Sequence, residues 1–151
     1  MIWRRTIKSL IWDTVIFGYS IWKCAVECRF PHYGQNWKNA KGMAGLFALW
    51  ASYQTEKFEG IVAASPSVWF PKWIEYATDN KPFAKSIYLS LGDKEEKTKN
   101  PVMAQVGNAI RKLNELLAEQ IGNTILEWNP GNHFIDSEKR TAKGFAWVMN
   151  K

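Results

Sequence analysis

Beyond residue 42, short apolar runs alternate with stretches of helical period, and this alternation is the tightest constraint on what the chain can fold into. Residues 43–53 (Met-Ala-Gly-Leu-Phe-Ala-Leu-Trp-Ala-Ser-Tyr) are apolar nearly all round, the pattern of a buried helix. Gly60-Ile61-Val62-Ala63-Ala64-Ser65 reads as a short strand closed by Pro66. Residues 68–76, with Pro71 among them, read as a loop and short helix carrying exposed aromatics. A second strand spans 86–91 and stops at Gly92-Asp93. Val102, Val106, Ile110, Leu113 and Leu117 recur at helical spacing with charges between them, and Gly122 ends that helix. A third apolar strand over 123–128 and a last helix over 137–149 complete the series.

Such alternation predicts an α/β fold. Three parallel strands are expected at 59–65, 86–91 and 123–128, with helices near 43–54, 101–120 and 138–149 on the faces of the sheet. Right-handed crossovers then gather the carboxyl ends of all three strands on one edge. Those ends carry Ser65, the turn from Gly92 to Glu96, and the turn Gly131-Asn132-His133. An imidazole delivered by a Pro-Gly turn to the carboxyl edge of a sheet is well placed for general-base work. A loop histidine without a task is the plainer alternative for His133.

The first 41 residues differ from the rest. They hold seven Lys or Arg against two acids, Asp13 and Glu27, whereas the remainder holds thirteen against twelve. Four of the nine tryptophans fall within the first 37 residues. The cations are scattered and accompany no recognition motif, which argues against nucleic acid as a partner. No apolar run reaches the roughly 18 residues a membrane span requires, so no membrane partner is expected. Asp13 interrupts the apolar stretch after the basic start, which reads against a signal peptide. Cys24, Cys28 and His32 would share a face if helical, but a fourth ligand is missing and Pro31 intervenes. Two reduced cysteines of a cytoplasmic protein fit better, with no metal and no cofactor expected. Thr14 to Phe17 is a strand candidate ending on Gly18-Tyr19-Ser20.

Residues 43–149, about 70% of the chain, resemble the C-terminal part of an esterase family within the α/β-hydrolase superfamily, one that includes enterochelin-esterase-like and feruloyl-esterase-like enzymes. The resemblance lies in Ala44-Gly45-Leu46-Phe47-Ala48-Leu49 and in Gly60-Ile61-Val62-Ala63-Ala64-Ser65-Pro66-Ser67 with Trp69. Ser90-Leu91-Gly92-Asp93-Lys94-Glu95 and Gly131-Asn132-His133 follow in the same order. It implies a serine-type carboxylic-ester hydrolase acting on a small-molecule ester. His133 matches the family's catalytic histidine, Glu95 its acid (with Asp93 and Glu96 as alternatives), and Met43 the residue whose backbone N–H serves the oxyanion hole.

The match fails at the nucleophile. The alignment puts Gly42 where the G-x-S-x-G elbow has its serine, and glycine has nothing to attack with. Ser20, twenty-two residues upstream, is the nearest elbow-like serine, but Trp22 sits where a small residue is wanted. The family's earlier strands are also missing. The chain therefore reads as an atypical segment, 1–41, joined to the C-terminal part of a hydrolase-like domain, 42–151, as a truncated or frame-altered product would be. Ester hydrolysis is expected to be impaired, and Gly42→Ser alone is not expected to restore it because the strand and glycine that shape the elbow are absent. The alternative is a non-catalytic α/β fragment or interaction module. An open sheet edge would favour self-association as a homo-oligomer, or cover by residues 1–41.

Overall fold

The computed structural model describes residues 41–151. Three full strands are all parallel: β2 (Gly60–Pro66), β3 (Ser86–Gly92) and β4 (Thr124–Asn129). A two-residue strand, β1 (Lys41–Gly42), pairs parallel with β2, so the order among the described residues is β1-β2-β3-β4. Ala64 lies opposite both Lys41 and Ser90, and Ser90 lies opposite Glu127. β3 is central, and all seven of its residues are buried. β4 forms the far edge and is only partly buried.

Four helices connect and cover these strands among the described residues: α1 (Met43–Ser52), α2 (Trp73–Asp79), α3 (Val106–Gln120) and α4 (Ser137–Met149). Side chains alternate across a strand, so β2 and β3 send Ile61, Ala63, Ile87, Leu89 and Leu91 to one face. There they pack in one core with Leu46 and Leu49 of α1, Trp73 of α2, and Ile110, Leu113 and Leu117 of α3. Each fully buried side chain of this size contributes about 1.5–3 kcal/mol. On the opposite face Val62 and Tyr88 meet α4.

Gly144 makes that second contact close. A methyl group at Gly144 would lie 2.5 Å from Val62 Cγ1 and 2.6 Å from Tyr88 Cδ1, so only glycine lets α4 reach the sheet. One turn later Trp147 places its ring 6.1 Å from that of Tyr88. On the helix, Arg140, Thr141 and Gly144 form the buried side.

The expected α/β layering is therefore present, with small shifts at the ends of elements. β2 and β4 each run one residue beyond the expected range at the carboxyl end and start one later, and α1 stops at Ser52. The helix expected from residue 101 begins at Val106. Asn100 is the reason: its side-chain oxygen accepts the N–H of Val102 at 3.0 Å and of Met103 at 3.2 Å, which holds the chain in tight turns first. Residues 68–76 correct the expectation of exposed aromatics. Val68 and Trp73 are fully buried, and Trp73 packs against both Tyr53, at 5.8 Å edge-on, and Tyr76, stacked at 5.7 Å. The expectation that no strand leads directly into the helix at Met43 is likewise corrected by the two-residue β1. The strand candidate at 14–17 lies outside the described residues, and so does nearly all of the 1–41 segment expected to cover the open sheet edge. No helix among the described residues is long and apolar enough to cross a membrane.

The close approach of α4 yields a direct test. Gly144→Ala should destabilise the protein by about 1–3 kcal/mol through overpacking, read as a lower urea midpoint with unchanged slope. An unchanged midpoint would show that α4 is not seated against Val62 and Tyr88.

Candidate active site

Each strand delivers one part of the site from its carboxyl end. β2 carries Ser65, one residue before its end, in a left-handed conformation (φ 49°), a costly posture for a residue with a side chain. β3 ends at Gly92, and the next turn returns Glu95 toward the strand end, where the N–H of Gly92 donates to Glu95 Oε1 at 2.7 Å. β4 leads through Pro130-Gly131 to His133. The two loops are tied together, because the Gly131 N–H donates to Asp93 Oδ1 at 2.7 Å and the Lys94 N–H to the Gly131 carbonyl at 3.1 Å. A side chain on Gly92 would strike the Gly131 carbonyl, so glycine there permits the close approach.

Glu95 is the hub. Its Oε1 accepts from Ser65 Oγ at 2.6 Å, from the Gly92 N–H, and from Arg140 Nη2 at 3.3 Å. Its Oε2 lies 2.9 Å from His133 Nδ1. An ionised carboxylate only accepts, so Nδ1 carries the proton and Nε2 is the basic nitrogen. Among the three acids proposed from the sequence, it is Glu95 that meets the imidazole. Asp93 accepts from Gly131, and Glu96 pairs with Arg111 at 3.0 Å.

Opposite the imidazole stands Gly42, with φ 55° and ψ −119° at the junction of β1 and α1. The chain thus turns sharply from strand into helix at this glycine. Its carbonyl accepts the Ser67 N–H at 2.9 Å, which ties the turn to the segment after β2. A Cβ built on Gly42 would lie 3.7 Å from both Nε2 and Cε1 of His133 and 3.6 Å from Ser67 Oγ, with ordinary clearance. One further bond length would bring a hydroxyl at that position within the roughly 2.6–3.2 Å over which a general base takes a proton. Met43 follows as the first residue of α1, where backbone N–H groups have no partner within the helix.

The structure thus joins Glu95, His133 and Gly42, with Met43 beside them. Ser20, Cys24, Cys28 and His32 lie outside the described residues. Among those described, no group of three or more His, Cys, Asp and Glu side chains could hold a metal ion. Arg140 escaped the sequence reading, and Ser65 and Ser67 were placed at the strand end without a role. Ser65 and Ser67 flank Pro66 at a strand end, which was a usable signal. Arg140 had a fainter one, since it lies one turn before the glycine that packs on the sheet. A scan against protein-family models finds no match for this chain, and a comparison with curated proteins finds none either.

The environment of Glu95 sets its charge. Burial pushes its pKa up, but hydrogen bonds from His133, Ser65 and the Gly92 N–H, together with the charge of His133, outweigh that and hold it below the ordinary 4.5. Since the folded value lies below the unfolded one, the unfolded chain takes up this proton first. The associated stability is complete above the unfolded value and is lost as pH falls through the folded one. The stability gap between the parent protein and Glu95→Gln should therefore narrow as pH is lowered from about 7 to about 3, measured by urea unfolding. A gap that stays constant across that range would show that these donors do not hold the carboxylate ionised.

Proposed function

We propose that residues 42–151 carry the histidine–acid part of a serine-type carboxylic-ester hydrolase site, in a chain whose nucleophile position is occupied by glycine. The observation that carries this reading is the arrangement around His133. Glu95 holds one ring nitrogen, and the other ring edge faces the place a side chain on Gly42 would fill. In the corresponding reaction a hydroxyl at that place gives its proton to Nε2 as its oxygen attacks the ester carbonyl. Glu95 stabilises the imidazolium, and backbone N–H groups stabilise the oxyanion. With Gly42 in place the covalent step has no nucleophile at that position, so the chain is expected to show background ester hydrolysis.

That same glycine favours a second reading, a non-catalytic fold that keeps the site's frame without its reaction. The two readings separate by restoring the hydroxyl. A serine at φ 55° must bear strain of about 1–3 kcal/mol, but nothing among the described residues blocks its side chain.

The parent protein should not label with a fluorophosphonate probe. Gly42→Ser should label at residue 42, and Gly42→Ser with His133→Ala should not. Turnover of p-nitrophenyl acetate should stay low, because Met43 is the one oxyanion donor identified among the described residues and the lack of a second typically costs about 10²–10³-fold. A sharper variant deletes residues 21–42. It joins Gly18-Tyr19-Ser20 to Met43-Ala44-Gly45 and writes an unbroken G-x-S-x-A-G after the apolar run 14–17. Labelling should then appear at Ser20. A folded Gly42→Ser protein that stays unlabelled would favour the non-catalytic reading, and labelling of the unmodified parent at Ser20 would overturn the assignment of Gly42 as the nucleophile position.

A further inference from the structure

Arg140 stands on α4, across the sheet face from the core, and is almost wholly buried at 2% side-chain exposure. A buried guanidinium stays charged and loses its hydration, so it is tolerated only where partners compensate. Its Nη2 has two: it donates to Ser65 Oγ and, at 3.3 Å, to Glu95 Oε1. Its Nε and Nη1 are buried with no hydrogen-bond partner among the described residues. If the position served only to seat α4, an apolar side chain would serve as well or better, because well-packed hydrophobic residues often replace buried ion pairs without loss of stability. What the arginine uniquely supplies is a rigid cationic donor at the oxygen of Glu95 that does not face the histidine.

We infer that Arg140, acting through Ser65, is a positioning residue for the Glu95–His133 pair. The inference rests on reading those two residues as the acid and base of the site. Nη2 and the Ser65 hydroxyl form a closed triangle with Oε1, since Ser65 donates to the carboxylate while accepting from the arginine. With the Gly92 N–H as a further anchor, Oε1 is fixed by three donors from three different elements. The carboxylate cannot then rotate about its own bond, and Oε2 is left aimed at His133 Nδ1. The left-handed backbone of Ser65 belongs to the same device, for it carries the hydroxyl into the triangle from the strand end. Sequence distance hides it: Ser65, Glu95 and Arg140 come from β2, the turn after β3, and α4.

The test follows the proton between His133 and Glu95 in the full chain by proton NMR with nitrogen-labelled histidine. The parent should show a downfield Nδ1–H resonance, assigned by its loss in His133→Ala. In Arg140→Gln this proton should exchange with water about tenfold faster or more, since loss of orientation at a reacting pair is costly. Ser65→Ala should give a smaller change in the same direction. In the Gly42→Ser background, Arg140→Gln should slow fluorophosphonate labelling by about tenfold or more. A merely structural arginine would lower the unfolding midpoint and leave the resonance and the labelling rate where they were, which would overturn the inference. Should Arg140→Gln fail to fold, Ser65→Ala decides, and an unchanged resonance in that variant overturns the inference. Absence of the resonance from the parent would instead refute the Glu95–His133 pair, and the proposed function with it. A parent resonance alongside an unlabelled Gly42→Ser protein would count against the proposed function alone.

Discussion

A buried carboxylate organises the edge of this sheet. Glu95 is 7% exposed, and an ionised group so far from water must find its solvation in the protein. It draws donors from every direction: a hydroxyl at the end of β2, a backbone N–H at the end of β3, an imidazole after β4 and a guanidinium from α4. Each donor belongs to a different element, so the charge can be satisfied only when all four have reached their places. The carboxylate thus couples the local geometry of three strand ends to the seating of a helix on one face of the sheet.

That seating has its own physical basis. α4 can bring Arg140 to Glu95 because Gly144, one turn on, lets the helix lie against Val62 and Tyr88. A second polar group continues the same face. Tyr88 donates to Glu127 at 2.8 Å, and Lys143 pairs with Glu127 from α4. Here too the carboxylate is held below its ordinary range: burial raises its pKa, but hydrogen bonds from Lys143 and Tyr88 and the charges of Lys143 and Arg140 prevail. The two faces of the sheet therefore differ in kind. One is closed by aliphatic side chains and Trp73, the other by a helix that combines close packing with charge.

The turn at Gly42 is held from outside itself. β1 is only two residues long, yet its pairing with β2 and the bond from the Ser67 N–H hold the chain at φ 55° as it enters α1. A glycine adopts that backbone without strain, whereas a serine would bear it. The backbone at Gly42 is therefore relaxed, and the hydrogen-bonded His133–Glu95 pair stands beside it.

By itself the sequence determined the order and kind of the elements, because apolar periodicity and turn residues are local signals. The alternation of β2, β3 and β4 with helices required parallel strands, and parallel strands required their carboxyl ends to meet. This is why His133 and the 93–96 turn were legible as neighbours, although it took the resemblance to put Glu95 ahead of Asp93 and Glu96, and it excluded neither. Only the tertiary structure decided among those acids, since the choice depends on which carboxylate the turn aims inward, a matter of a few degrees of backbone. It also decided the burial of Trp73, which follows from how α2 packs, and the part taken by Arg140. An arginine on an amphipathic helix reads as solvated until the sheet beneath it is in place. Charge finds its partners through space, and sequence spacing carries no record of a contact made across seventy-five residues.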